Sequence, residues 1–367
     1  MAYIYDRPDW PHFRWDVSAL AVRLAEVRHH QGRVLGRMEA LGFELETEAV
    51  FQTLVQDALK TSEIEGEILD REQVRSSVAR RLGLDRAGMV PVERPVEGLV
   101  AMLLDATQGY AEPLTTERLF RWHRELFPEG GHGRKAFTVG GWRTDELGPM
   151  QVVSGPMGRE RVHFRAPAAE RIATEMDAFL AWFEARDPGI DPVLKAAVAH
   201  IWFVTIHPFD DGNGRIARAI ADLALARSEG TGQRFYSLSS RLRVERSDYY
   251  ATLEATQKGD LDITVRLAWF LDVLDQALSD AETTLAAVLR KAQVWEILAT
   301  KTLNDRQRLM INRLLDGFQG KLTTSKWAKI AKCSQDTALR DIEGLITAGL
   351  LIKEPGGGRS TNYALAL

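Results

Sequence analysis

Apolar positions recur at helical spacing along most of the chain. Residues 17–41 carry one such stripe and residues 47–65 a second, with Val50, Leu54, Val55, Ala58 and Leu59 on one face. The second stretch closes on "TSEIEGEILD", where Gly66 supplies a stop signal. "LDREQVRSSVARRLGL" reads as a further helix, and "MVPVERPV", with two prolines, reads as a linker. Helices are then predicted over 96–109 and 115–127. Between 130 and 168 the pattern breaks. Gly and Pro accumulate, and two alternating runs, "PMQVVS" and "RVHFRA", flank "GPMGRE". This spacing predicts a β-hairpin at 149–165. Helices resume over 167–186, 191–206, 213–229, 246–258 and 262–290.

From about residue 301 the composition shifts. Lys and Arg number 11 against 6 acidic residues over 301–367, so this tail is +5; the whole chain is −4, which leaves −9 for the first 300 residues. The pattern there reads as helix, turn, helix and a two-stranded hairpin with a Gly-rich tip. Three regions result: a helical N-terminal region at 1–92, a core at 93–290, and a small domain at 301–367. The fold class is mainly α.

The composition narrows the function. With 367 residues, 45% apolar and 27% charged, the chain has the profile of a soluble globular protein. Its net charge argues against a uniformly basic nucleic-acid binder. A single cysteine, Cys333, excludes an intrachain disulfide, and its place between apolar turns predicts a buried thiol. The N-terminus lacks the pattern of a signal peptide, and no apolar run approaches the roughly 20 residues of a membrane helix. The expected location is cytoplasmic.

Candidate chemistry concentrates in "TIHPFDDGNGRIAR", Thr205 to Arg218. Gly212, Asn213 and Gly214 stand where a helix begins again. A glycine turn entering a helix exposes unpaired N–H groups at the positive end of the dipole, which is a site for phosphate. Arg215 and Arg218 are about 300° apart on that helix, hence neighbours at its first turn. Both can reach oxygens the backbone leaves open. Asp211 is a natural Mg2+ ligand beside bound phosphates. His207 can take a proton from an incoming hydroxyl. Together these are the parts of a phosphoryl- or nucleotidyl-transfer site. Other readings fail. An EF-hand counted from Asp210 would put Arg215 at the Gly position and Ala221 at the Glu position. His200 and His207, seven residues apart, are ~10 Å from one another along a helix, too far for one zinc. No Gly-Lys-Ser or Gly-Lys-Thr follows to make a P-loop.

"HPFDDGNGRIAR" resembles the Fic-family signature, His-Pro-Phe-x-Asp/Glu-Gly-Asn-Gly-Arg-x-x-Arg, and matches it at every defined position. The resemblance extends over roughly 95–280. It implies a helical core with a β-hairpin flap and transfer of AMP from ATP to a Ser, Thr or Tyr hydroxyl of a target protein, with Mg2+. By position it implies His207 as base, Asp211 as metal ligand, and Gly212, Asn213 and Gly214 as the phosphate cradle. Arg215 assists there, and Arg218 takes the γ-phosphate. Tyr249 or Tyr250 stands near the adenine. Met150, Gln151, Val152 and Val153 of the flap dock the target segment. "TSEIEG" in turn matches the family's inhibitory pattern Ser/Thr-x-x-x-Glu-Gly/Asn, through Thr61, Glu65 and Gly66. That implies an inhibitory helix near 55–66 and a bidentate Glu65–Arg218 pair withholding the arginine from the γ-phosphate. The same glutamate could serve the reverse hydrolysis, so de-AMPylation at this site stays open. Self-modification and homodimerisation also stay open. A phosphocholine- or phosphate-moving relative is a further alternative; the intact cradle and Arg218 favour ATP.

The ends carry weaker signals. "YIYDRPDWPHFRWD" resembles the segment ahead of many bacterial Fic domains and reads as a hydrophobic strap, with Trp10 and Trp15 in it. The C-terminal domain resembles a winged helix. Its second helix bears Gln335, Asp336, Arg340, Asp341 and Glu343, and three acids at a phosphate-rich groove cost affinity. The basic Lys326, Lys329, Lys332 and Arg359 lie elsewhere. Protein contact is favoured over DNA, although a DNA-binding regulator with a nucleotide-sensing core remains the rival reading.

Overall fold

The computed structural model describes residues 2–39, 43–84, 88–128, 130, 137–146, 148–156, 159–298, 301–316, 318, 320–354 and 361–366. The chain divides into two compact units, Met1–Leu82 with Pro91–Glu282, and Gly83–Val90 with Thr283–Leu367.

The first unit begins with three helices that follow the N-terminal stripes: α1 (Val17–Glu39), α2 (Phe43–Ile64) and α3 (Arg71–Arg81). All five apolar residues expected on one face of α2 are buried. α3 starts where Asp70 accepts from the N–H groups of Glu72 and Gln73, satisfying two orphan donors. α4 (Arg94–Gln108) and α5 (Thr116–Leu126) come next. α4 begins inside the stretch expected to be a linker, because Pro95 sits in its first turn, where a missing N–H costs nothing. The hairpin pairs β1 (Gln151–Ser154) antiparallel to β2 (Arg161–Arg165).

α6 (Ile172–Glu184) is shorter than the expected 167–186, since Pro167 delays it and a 3-10 turn, Ala169–Arg171, precedes it. α7 (Pro192–Ile206) and α8 (Asn213–Glu229) form the central pair. α7 is buried nearly all round, as its largely apolar sequence demands, and Asp191 caps its start. α8 packs in turn on α2, α4 and α5. The unit closes with α9 (Leu238–Val244), which periodicity did not predict, α10 (Arg246–Gln257) and the long α11 (Thr264–Leu298), which runs past the unit's end. The N-terminal aromatic segment is a strap. The Trp10 indole N–H donates to Glu175 at 2.7 Å, and Trp10 and Phe13 stand edge-on to Trp202. Tyr5 donates to the Arg165 carbonyl and packs on Phe164, fixing the base of the hairpin.

In the second unit, α12 (Asp305–Leu315), α13 (Thr324–Ile330) and α14 (Gln335–Thr347) precede a hairpin of β3 (Leu351–Lys353) and β4 (Tyr363–Leu365). Trp327, Met310, Ile342 and Leu345 form its core. Two expectations change here. Asp341 does not face outward: it is buried, accepting from Arg306 Nε at 2.6 Å and Asn304 Nδ2 at 2.8 Å. Cys333 is half-buried at the edge of the core rather than enclosed. The Gly-rich tip and Arg359 lie outside the described residues.

Among the described residues, no helix is long and apolar enough to cross a membrane.

Candidate active site

The turn between α7 and α8 carries the motif, and its backbone is held in place from several directions. His207 ends α7 in the left-handed region, φ 54° and ψ 57°, an uncommon conformation for a non-glycine residue. Gly212, at φ 79°, opens α8. The Asn213 side chain is committed inside the turn, accepting from Phe209 N at 3.0 Å and donating to Phe209 O at 2.7 Å. Only its backbone N–H is therefore left for an anion.

Two residues that the motif does not contain brace it from outside. Arg143 is buried and donates from Nε to His207 O at 2.8 Å and from Nη2 to Pro167 O. His123 lies flat on Phe209, ring centroids 4.2 Å apart, and accepts at Nδ1 from Gly140 N–H. Its Nε2–H consequently donates to Asp211 O at 3.2 Å. Burial pushes the His123 pKa down to about 4, so the ring stays neutral and keeps this donor pattern.

The His207 imidazole is set up similarly. Nδ1 stands 3.2 Å from Val204 O, which can only accept, so Nδ1 carries the hydrogen and Nε2 keeps its lone pair. Burial lowers its pKa to about 4, against which the Val204 hydrogen bond works. Asp211 projects outward with its side chain 61% exposed; Oδ1 accepts from Gly212 N–H at 2.6 Å. A carboxylate with one oxygen still open suits a hard cation such as Mg2+.

His207, Asp211 and the three cradle residues line one cleft of about 600 Å3, together with Glu65, Tyr249, Tyr250 and the hairpin residues 150–154. Sequence reasoning thus named residues the fold does bring together. Arg218, however, lies beneath Glu65 and is almost fully buried. Its Nη2 donates to Glu65 Oε1 at 2.7 Å and to Thr61 O at 3.0 Å, while Nε donates to Thr61 Oγ1 at 2.8 Å. The Glu65 contact is a single hydrogen bond from Nη2, which Thr61 O shares, and not the expected bidentate pair. Nη1 is buried without a well-formed hydrogen bond. Burial alone would depress the guanidinium, yet Glu65 and the neighbouring tyrosines raise its pKa. The Glu65 carboxylate also lies close against the cradle: a Cβ on Gly214 would come within 2.3 Å of Oε1, so a larger residue there would have to displace Glu65.

The end of α2 is pinned by contacts the sequence did not disclose. Arg246 Nε donates to Ile64 O at 2.7 Å, and the Tyr250 hydroxyl reaches the same oxygen at 3.3 Å. Glu67, just past Gly66, pairs with Arg215 Nη1 at 3.0 Å. The one available signal was its place immediately after the inhibitory pattern. Tyr249 is buried with its hydroxyl on His200 Nε2 at 3.1 Å, so Tyr250 is the more accessible of the two. His200 and His207 are separately engaged. Met150 and Val152 of the hairpin pack toward Tyr5 and Phe164, whereas Val153 is exposed. β1 has β2 on one side only, leaving its other edge unpaired among the described strands.

Comparison with known proteins gives a family match over the residues that carry this turn. Residues 113–225 match the Fic/DOC family, and residues 3–84 match a domain of unknown function, DUF4172. The chain is 26% identical over 227 residues to "Protein adenylyltransferase Fic" of Nematostella vectensis, covering 59% of this chain and 47% of that protein. It is 34% identical over 122 residues to a uridine 5'-monophosphate transferase of Xanthomonas campestris pv. campestris, covering 31% of this chain and 21% of that one. The chain thus spans less than half the length of these curated relatives. The fold is similar to a Fic family protein from Desulfovibrio desulfuricans G20, with TM-score 0.54, 19% identity and 95% of both chains covered. It is also similar to a Fic domain containing signaling protein from Bacteroides thetaiotaomicron, with TM-score 0.51, 18% identity, and 73% and 98% covered.

Proposed function

We propose that this chain, which carries a Fic/DOC family domain over residues 113–225, transfers AMP from ATP to a side-chain hydroxyl of a protein and is held back by Glu65. The observation that carries this reading is the position of Glu65, between the buried Arg218 and the glycine cradle of one cleft. In the reaction, His207 Nε2 takes the proton of the acceptor hydroxyl. The hydroxyl oxygen forms a bond to the α-phosphorus while the bond to the pyrophosphate oxygen breaks. The backbone N–H groups at the start of α8 hold phosphate oxygens, and Arg218 compensates the charge of the γ-phosphate. Asp211 is the residue that would hold Mg2+, which supplies charge neutralisation at the phosphates. The exposed edge of β1 offers backbone pairing to an extended target segment.

The reading is tested by incubating the chain with α-labelled ATP, Mg2+ and lysate, comparing wild type, Glu65→Gly and His207→Ala. Label on lysate proteins that rises with the first change and vanishes with the second supports it. Absence of label from every variant, with ATP still bound, would sink it.

Arg215 gives a smaller, separate effect. Its partner Glu67 is 43% exposed at the side chain, and solvent screening limits such a pair to about 0.5–1 kcal/mol. Glu67→Ala should therefore raise labelling only about two- to five-fold. A rise as large as that of Glu65→Gly would mean Glu67 is the principal restraint.

For the second unit we propose a winged helix used in protein contact. The exposed face of α14 carries Asp336 and Glu343 beside Arg340. Phosphate neutralisation needs clustered cations, so a gel shift of the full chain should show no sequence-specific band at physiological salt. A specific band with a steep salt slope would instead favour a DNA-binding regulator.

A further inference from the structure

The hairpin carries a hydrogen-bonded relay that the proposed reaction does not use. Ser154 Oγ lies 2.6 Å from His163 Nε2, and His163 Nδ1 lies 2.7 Å from Glu254 Oε2 on α10. The three residues come from β1, β2 and α10, so no sequence pattern joins them. A register shift makes the arrangement: Val152 pairs with Phe164 but Val153 pairs with Val162, leaving His163 as the extra residue. Such bulges re-aim a side chain. Glu254 is itself fixed. Its Oε1 accepts from Lys258 Nζ and Arg161 Nη2, which leaves Oε2 to the imidazole. Hydrogen bonds from Lys258 and His163 hold the carboxyl down at about 2, so it is ionised and can only accept. Nδ1 therefore carries the ring hydrogen, and Nε2 accepts from the Ser154 hydroxyl. This is the order nucleophile, base, orienting carboxylate.

Ser154, His163 and Glu254 all line the cleft that holds His207 and the glycine cradle. Ser154 is exposed and its hydroxyl is already hydrogen-bonded to an oriented imidazole, whereas the Tyr249 hydroxyl, on His200, is buried. We propose that Ser154 is an acceptor within the chain itself, with His163 as its base and Glu254 as the residue that positions the base. Resting on the transfer proposed above, the step uses a nucleoside triphosphate. Ser154 Oγ bonds to the α-phosphorus, the bond from that phosphorus to pyrophosphate breaks, and the hydroxyl proton passes to His163 Nε2. The product is a phosphodiester on β1, at the strand where a target segment would dock, so self-modification competes with modification of other proteins.

The test uses the full-length Glu65→Gly chain with ATP and Mg2+, with and without lysate, followed by peptide mass mapping. A fluorophosphonate probe reports nucleophilicity of Ser154 without any nucleotide. Expected are an AMP adduct on the peptide containing Ser154 and probe labelling of the same residue. His163→Ala should slow both by about 10²-fold, the lower end for a lost general base. Ser154→Ala should remove both signals from that peptide. AMP on lysate proteins but none on Ser154 would overturn this assignment while leaving the transfer reaction standing. AMP on no protein at all would overturn both, and the unlabelled lysate identifies that case. Adducts on Ser154 that persist at full rate in His163→Ala would overturn the relay.

Discussion

Glu65→Gly should raise AMP labelling of protein by about 10- to 100-fold over the unsubstituted chain. A hydrogen bond to a charged group is worth about 1.5–3 kcal/mol, and each 1.4 kcal/mol is about tenfold in rate or occupancy. The Glu65–Arg218 contact is of this kind, at 2.7 Å, with the arginine almost wholly buried and the carboxylate side chain 32% exposed. ATP must displace that carboxylate to reach Arg218 and must also clear Oε1 from the Gly214 backbone. The substitution removes both obstacles. Glu65→Gln separates them: it keeps the bulk beside Gly214 but gives up the charge, so its labelling should fall between wild type and Glu65→Gly. Thr61 still holds Arg218 through two hydrogen bonds in either variant, which keeps the guanidinium aimed. Equal labelling in all three chains, with equal ATP binding, would show that Glu65 does not restrain the reaction. A pulse-chase in the Glu65→Gly chain adds one distinction. If Glu65 also serves hydrolysis of the modified target, label placed by the variant should persist after chase, while wild type removes it.

The sequence made some of these parts legible and hid others for identifiable reasons. Most helices of the first unit follow from apolar spacing, and the central pair α7 and α8 stands out because both are buried nearly all round. The motif is legible because it is contiguous: cradle, carboxylate and imidazole lie within twelve residues, and backbone geometry alone brings them together. α9 escaped because seven residues give barely two turns of periodicity and no Gly or Pro separates it from α10. Its one local signal is Ser237, whose hydroxyl accepts from Ser240 N–H at the helix start. Pairings across the chain were out of reach. Glu67 meets Arg215 at a separation of 148 residues, and Ser154, His163 and Glu254 come from three elements. The same holds for Asp341, which reads as a surface acid on α14 until Arg306 of α12 is found beside it. Likewise His123 and Arg143, which lie outside the motif, are recognisable as its supports only from the fold.

His207→Ala should lower the rate of AMP transfer by about 10²- to 10⁴-fold, the range of a lost general base. The measurement belongs in the Glu65→Gly background, where the parent rate is high enough for the loss to be read. ATP binding should be preserved, because Arg218, the glycine cradle and the Asn213 brace do not depend on the imidazole. The pH profile provides an independent check, and its sign follows from the site. Burial holds the His207 pKa at about 4, well under the usual imidazole value, so the ring is neutral and able to accept a proton throughout the physiological range. Activity should therefore stay flat with respect to this group from about pH 8 down to about pH 5 and fall only as pH drops toward 4, when Nε2 becomes protonated. A midpoint near an ordinary histidine value would mean that bound phosphates raise the pKa, as nearby negative charge does. A rate within a few-fold of the parent in His207→Ala would remove His207 from the chemistry and leave catalysis to positioning and charge compensation alone.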